Sequence, residues 1–299
     1  MTTSTEHLRK YEIPGHVAVA VGNGGLAKIV VTAKAGAAEI YLLGAHVTHF
    51  QKRGEPPLLF LSRKSWFEAG KPIRGGVPVC FPWFGPREGG PAHGLVRTLP
   101  WELVETAAAP TGAVTIRLRL PKASVQPEWS ALRTEFVLTV ADKLTMELIA
   151  TNETTDRTLE IENCLHTYFQ VGDINQISLT GLQGAPFDDF AAGAAGVRKV
   201  ENDAVLRITK ETNRVYPDNT STVEIHDAQL KRTVRVEKFN SQSTVVWNPW
   251  TTQKLPDDFD PAEQKQMVCV ESGNVKQNKI SLAPGTSSAL KVVLHSQTH

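Results

Sequence analysis

The chain has 299 residues, 41% of them hydrophobic and 21% charged, the balance of a globular protein that buries a sizeable core. Lys plus Arg number 32 against 31 Asp plus Glu, so the formal net charge of +1 leaves no basic excess for the many phosphates of a nucleic acid. No apolar run is long enough to span a bilayer, and residues 1–16 lack the apolar core of a secretory leader, so a cytoplasmic protein with no membrane partner is expected.

Taken in chain order, residues 1–20 mix charged and polar types and read as an N-terminal extension. Strands are expected over 29–32, 39–43 and 58–61, and a helical turn or two over 62–69. A Gly- and Pro-rich stretch follows over 71–87, then a Gly-rich turn over 89–97 that leads into a further strand. From there alternation dominates. Val114, Ile116, Leu118 and Leu120 alternate with Thr115, Arg117 and Arg119, and Leu144, Met146 and Leu148 alternate with Thr145 and Glu147. Successive strand side chains point to opposite faces, so such segments have one buried and one wet face. Further strands are expected over 136–140, 159–169, 222–226, 233–237, 244–247, 267–271 and 290–294, with one short helix over 260–266. Gly, Pro, Asn and Asp clusters separate them. Many short strands with few short helices predict an all-β fold, a large antiparallel β-sandwich, formed as one domain over 1–299.

Three segments break the alternation. The stretch KPIRGGVPVCFPWFGPR (71–87) combines backbone-restricting prolines with permissive glycines. It reads either as a loop tucked onto the sandwich by Phe81, Trp83 and Phe84, or as a rigid shelf that aims Arg74 at a ligand. In HGLVR (93–97), Arg97 stands four residues after His93, so in an extended chain both would share a face. In LHTYF (165–169), His166 sits among apolar neighbours, either as a satisfied core histidine or as a site residue. A carboxylate that could complement these is Glu271 in MVCVESG, which closes an apolar strand just before a Gly turn. Burial there would raise its pKa toward the range of a general base. Trp83, Phe84, Trp247 and Trp250 could offer apolar faces to a ligand or belong to the core.

Metal and disulfide chemistry are not indicated. Cys80, Cys164 and Cys269 lie among apolar residues with neither disulfide nor zinc spacing, and read as buried free thiols. His46 and His49 are an odd number apart and fall on opposite strand faces. No phosphate-binding GxxxxGK[ST] loop or nucleophile elbow is present.

The motifs KPIRGGVPVCFPWFG, HGLVR, LHTYF, TVVWNPW and MVCVESGNV, in this order, resemble the aldose 1-epimerase (galactose mutarotase-like) superfamily. The resemblance runs roughly from Gly44 to Gly285 and is nearer to its glucose-6-phosphate 1-epimerase, or hexose-6-phosphate mutarotase, branch. It implies an antiparallel supersandwich with the site on one concave face. It also implies roles: His166 as general acid at the ring oxygen, Glu271 as general base at the anomeric hydroxyl, and His93 as a second histidine polarising the sugar. Arg74 and Arg97 are similar to the branch's substrate- and phosphate-binding arginines. Two positions depart from the pattern, Ala92 where relatives can carry Gln, and Asn213 where they can carry Asp. Both bear on contacts to sugar hydroxyls. The expected partner is a small sugar phosphate, bound by a monomer with neither metal nor organic cofactor. A mutarotase of unphosphorylated sugars and a non-catalytic carbohydrate-binding protein are the alternatives.

Overall fold

The computed structural model describes residues 5–299, and its architecture is almost entirely antiparallel strand. Two eight-stranded sheets dominate. The first runs, in spatial order, Ile177–Thr180, Val223–Asp227, Arg232–Phe239, Ser287–Thr298, Leu144–Asn152, Leu132–Val140, Val114–Arg119 and Glu102–Ala108. Its register aligns the alternating apolar positions: Leu290 faces Leu148, Val292 faces Met146, Leu138 faces Met146, and Phe136 faces both Leu118 and Leu148. All of these are buried, each contributing roughly 1.5–3 kcal/mol relative to exposure. The intervening polar residues face water.

The second sheet runs Val197–Val200, Pro186–Asp189, Thr212–Pro217, Ser243–Asn248, Met267–Asn274, Asn163–Leu165 and Val79–Cys80, with Tyr168–Gln170 pairing alongside Met267–Asn274. Here alternation of burial disappears: every residue of Met267–Asn274 is buried. Val268 and Val270 join the main apolar cluster shared with the first sheet, whereas Cys269 and Glu271 point to the opposite face. That outer face is covered by loops, chiefly 71–87. A smaller four-stranded sheet, Val17–Val21, Ala27–Thr32, Gly36–Tyr41 and His46–Lys52, adds Ile29, Val31, Ile40 and Phe50 to the same core.

Several sequence expectations change in the structure. Residues 159–169 form three short strands, Leu159–Ile161, Asn163–Leu165 and Tyr168–Gln170; the last two pair the strand Met267–Asn274 in one unbroken register, with the ladder interrupted at His166 and Thr167. Residues 62–69 hold no helix: Ser62 N donates to Arg74 O at 3.0 Å and Arg74 N to Ser65 Oγ at 2.7 Å, so the polar groups are bonded across the loop instead. The 3-10 helix Pro261–Gln266 does form, capped by the Asp260 side chain. Of the expected extension 1–20, residues 1–4 lie outside the described residues. Leu8 is buried in the core and Val17–Val21 pairs with Ala27–Thr32. Among the described residues, no helix is long and apolar enough to cross a membrane.

Candidate active site

Strand register places the site. Asn213 faces Trp247, Val215 faces Val245, Val245 faces Glu271 and Trp247 faces Cys269, so all six side chains emerge on the outer face of the second sheet. Above them lies a cavity of about 320 Å³, the size of a small-metabolite pocket. Arg74, Phe84, Gly85 and Pro86 of the covering loop line it together with His93, His166, Tyr168, Asn213, Trp247, Glu271 and Lys276.

His166 reaches this cavity from the break in the ladder between Leu165 and Tyr168, where the unbroken register sets it level with Glu271 of the neighbouring strand. The backbone N of His166 donates to Pro78 O at 3.0 Å while Val270 N donates to Thr167 O at 3.3 Å, fixing both ends of the break. The imidazole stacks on Tyr168 with centroids 4.9 Å apart and stands edge-on to His93 at 5.5 Å. Its Nε2 lies 3.3 Å from Glu271 Oε1. Two side chains 105 positions apart in sequence are thus in contact.

The loops that close the cavity depend on unusual backbone. Gly76 has φ 61°, and a Cβ there would fall 2.2 Å from Val47 O; Gly94 has φ 79°, and a Cβ there would fall 2.0 Å from Phe81 O. Only glycine permits either approach. Next to Gly94, His93 itself adopts φ 64°, a left-handed conformation that a side chain takes at a cost of about 1–3 kcal/mol. Hydrogen bonds from His93 N to Gly85 O and from Leu95 N to Phe81 O hold it there. His93 Nδ1 accepts from Gly85 N at 3.4 Å, which assigns the neutral ring's proton to Nε2. Glu162 joins the two cavity-bearing loops, accepting from Phe84 N at 2.9 Å and from Lys276 N.

Burial sets the electrostatics. Glu271 is 1% exposed, and desolvation raises its pKa well above the ordinary carboxyl value, opposed only by a hydrogen bond from the Cys164 thiol. His166 moves the other way, well below its ordinary value, through burial first and then the positive influence of His93, Arg97 and Arg74. His93 is lowered to about 3 and His46 to about 4, both chiefly by burial. An imidazolium–carboxylate pair and an imidazole–carboxylic acid pair carry the same single proton. His166 and Glu271 lie 3.3 Å apart, and burial moves their proton affinities in opposite directions, the carboxyl upward and the imidazole downward. Cys269 brings its Sγ within 4.8 Å of both, but burial also raises this thiol's pKa, so the trio is a set of proton-bearing groups rather than anionic ligands.

Cations meet the cavity unevenly. Arg74 Nε lies 3.3 Å from both oxygens of the buried Asp258, and Nη1 donates to Tyr168 Oη at 3.4 Å. Burial would lower its pKa, but Tyr168 and Asp258 more than reverse this and hold it above the ordinary value. Lys276 has no carboxylate partner among the described residues; its Nζ lies 5.7 Å from the ring centroid of Phe190. Phe190 is 41% exposed at the cavity's edge. Arg97 does not line the cavity. Residues 96–98 form a short 3-10 helix instead of the expected strand, so the extended-chain spacing from His93 does not apply, and Arg97 Nη2 donates to Ala92 O at 2.7 Å.

Of the residues singled out by sequence, His166, Glu271, His93, Arg74 and Asn213 converge here. Phe84 and Trp247 line the cavity, whereas Trp83 packs at a tilt against Trp129 and Trp250 packs against the core elsewhere. Lys276 and Tyr168 were missed. Tyr168 was findable, since i and i+2 in an extended chain share a face with His166. Lys276, with φ 57° just past the strand, carries no comparable signal.

A cavity on one face of an antiparallel sandwich brings an imidazole and a buried carboxyl into contact, an arrangement suited to acid–base chemistry on a small polar molecule. Residues 27–295 match the family model described as aldose 1-epimerase. A protein of Cenchrus ciliaris, provisionally named glucose-6-phosphate 1-epimerase, is 33% identical over 272 residues, covering 87% of this chain and 82% of its own. One of Escherichia coli K12 with the same provisional name is 34% identical, covering 81% of each chain. The crystal structure of a provisionally assigned mutarotase from Salmonella typhimurium superposes with a TM-score of 0.86 at 28% identity over 96% of both chains. The chain belongs to the aldose 1-epimerase family, and it is an isomerase of the sugar epimerase (mutarotase) class.

Proposed function

We propose that this enzyme interconverts the α and β anomers of a hexose 6-phosphate, with glucose 6-phosphate the foremost candidate. The observation that carries this reading is the 3.3 Å contact between His166 and Glu271 inside a cavity whose wall also bears Arg74 and Lys276. Anomer exchange begins when a base removes the anomeric hydroxyl proton while an acid protonates the ring oxygen. The ring opens to the aldehyde, the C1–C2 bond turns, and the reverse transfers close the ring on the other face. Glu271 takes the first role and His166 the second. Because the reaction is nearly symmetric, the two groups must exchange roles at little cost. Each positioned proton transfer is worth roughly 10²–10⁴ in rate. His93, presenting Nε2–H, donates to a sugar oxygen, and Asn213 supplies a neutral amide where a carboxylate would only accept.

The phosphate falls to Lys276 and Arg74. Asp258 orients Arg74 and offsets its charge, so Lys276 provides the uncompensated cation. Unpaired buried thiols fit a reducing compartment, and we place the reaction in the cytoplasm. The pairing of Arg74 with Asp258, and the position of Arg97 outside the cavity, favour a second reading in which the substrate is an unphosphorylated aldose. One comparison separates them: the rate at which α-glucose 6-phosphate reaches anomeric equilibrium, against α-glucose and α-galactose. Acceleration confined to the phosphosugar is expected. Equal acceleration of all three would establish the second reading.

A further inference from the structure

The carboxyl of Glu271 is held in an unusual way. Oε1 lies 3.3 Å from His166 Nε2 and faces the cavity, while Oε2 accepts from Cys164 Sγ at 3.6 Å. Among the described residues, no backbone N–H, hydroxyl, amide or cation donates to it. A buried carboxylate cradled by several backbone amides becomes a very weak base. A thiol is a weak donor and withdraws little charge. We propose that Cys164 is a positioning residue for Glu271, its thiol fixing the rotation of the carboxyl so that Oε1 meets the sugar and His166, without making that carboxyl a poor base.

The surroundings are shaped for this contact. Cys164 lies in the strand Asn163–Leu165, directly opposite Gly273 of the Glu271 strand and Cys80 of Val79–Cys80. A Cβ at Gly273 would fall 2.2 Å from Asn163 O and 2.9 Å from the Cys164 Cβ. Glycine two residues beyond Glu271 thus lets the Cys164 strand approach closely enough for its thiol to lie beside the carboxyl. Polar and titratable groups reach Glu271 from every neighbouring element: His166 from the break between two strands, Tyr168 from the second of them, the Cys80 and Cys269 thiols, and Arg74 beyond Tyr168. Lys238 of the first sheet, held by Asn219 and Thr244, acts on Cys164 from the far side. Of these, only Cys164 donates a hydrogen bond to the carboxyl. Burial keeps its own thiol protonated, as a donor must be, by raising its pKa well above the ordinary value.

This inference rests on the base role proposed for Glu271. The test measures kcat, KM and the pH profile of anomer exchange for the wild type, Cys164→Ala, Cys164→Ser, Cys80→Ala and Glu271→Gln, with thermal unfolding of each. For Cys164→Ala, kcat should fall roughly ten- to a hundredfold with KM nearly unchanged, the scale of a misplaced catalytic group. Cys164→Ser, a stronger donor, should restore most of kcat and move the acid limb of the profile to lower pH. Cys80→Ala, equally buried but not bonded to Glu271, should change only the unfolding temperature. Wild-type kcat in Cys164→Ala, or an equal loss in Cys80→Ala, would overturn the proposal while leaving the base role intact if Glu271→Gln is inactive. Were Cys164→Ala unable to fold, an unshifted acid limb in Cys164→Ser would overturn it. Full activity in Glu271→Gln would overturn the base role itself.

Discussion

The two eight-stranded sheets obey the same alternation and use it differently. In the sheet built on Leu144–Asn152 and Ser287–Thr298, inward residues form the core and outward residues meet water. There Arg117, Arg119 and Arg133, each partly exposed, cover the buried carboxylate of Glu135. In the sheet built on Met267–Asn274, the outward residues are buried a second time beneath loops. Glu271, Cys269 and Cys164 are left where water cannot reach to settle their charge. A sheet with one wet face supplies stability. Covering the second face of its partner converts the same pleat into a dry wall with shifted proton affinities, at the cost of burying groups that prefer solvent.

That contrast has measurable consequences. The largest belongs to the scaffold: Phe136→Ala, fully buried between the sheets, should destabilise by about 3–5 kcal/mol while leaving kcat of the folded fraction unchanged. Denaturant unfolding and active-site titration check both halves. Next is the acid sensitivity of the loop over the site, which His46 of the four-stranded sheet contacts at Gly75 O. His46 is held neutral, with its pKa lowered from 6.5 to about 4, so its unfolded form binds a proton that its folded form refuses. Stability is therefore full above about pH 6.5 and declines as pH falls toward 4, by on the order of 2 kcal/mol at pH 5 from this group alone. His46→Gln should flatten the dependence of unfolding free energy on pH in that window.

Lys276→Met should raise KM for glucose 6-phosphate about tenfold, close to the 1.4 kcal/mol lower end expected of one charge-assisted hydrogen bond, with no change in unfolding. If KM does not move, the phosphate lies elsewhere. The smallest effect returns to the wet face. Arg117→Ala should cost under about 1 kcal/mol, because Glu135 keeps two other arginines and Arg117 itself is open to solvent screening. A larger loss would show that the outer face of the first sheet contributes more than its exposure suggests.

The scaffold was legible in the sequence because its strands alternate, and residues such as Val114, Ile116 and Leu118 announce one wet face. The run from Met267 to Val270 is apolar without alternation, which signals double burial but not what covers the second face. His166 and Glu271 were located by their motifs, whereas their contact depends on the pairing of two strands about a hundred residues apart in a register that sets 166 level with 271, a long-range choice with no local signature. Arg97 failed because a 3-10 turn replaced the extended chain that its spacing assumed. Lys276 escaped because a left-handed residue beyond a strand end is placed by the hydrogen bond from its amide to Glu162, a long-range partner invisible in the local pattern.

The central claim is that His166 and Glu271 move protons on and off the sugar in the cavity they line. Exchange spectroscopy of the two anomers of glucose 6-phosphate at equilibrium measures it directly, with wild type beside Glu271→Gln. The wild type should accelerate exchange and Glu271→Gln should lose at least a hundredfold of that acceleration, the smaller end of one proton transfer. The variant should also be at least as stable, and more so as pH rises above about 4.5, since the buried carboxyl that resists ionising is gone. Undiminished exchange in a folded Glu271→Gln would contradict the account.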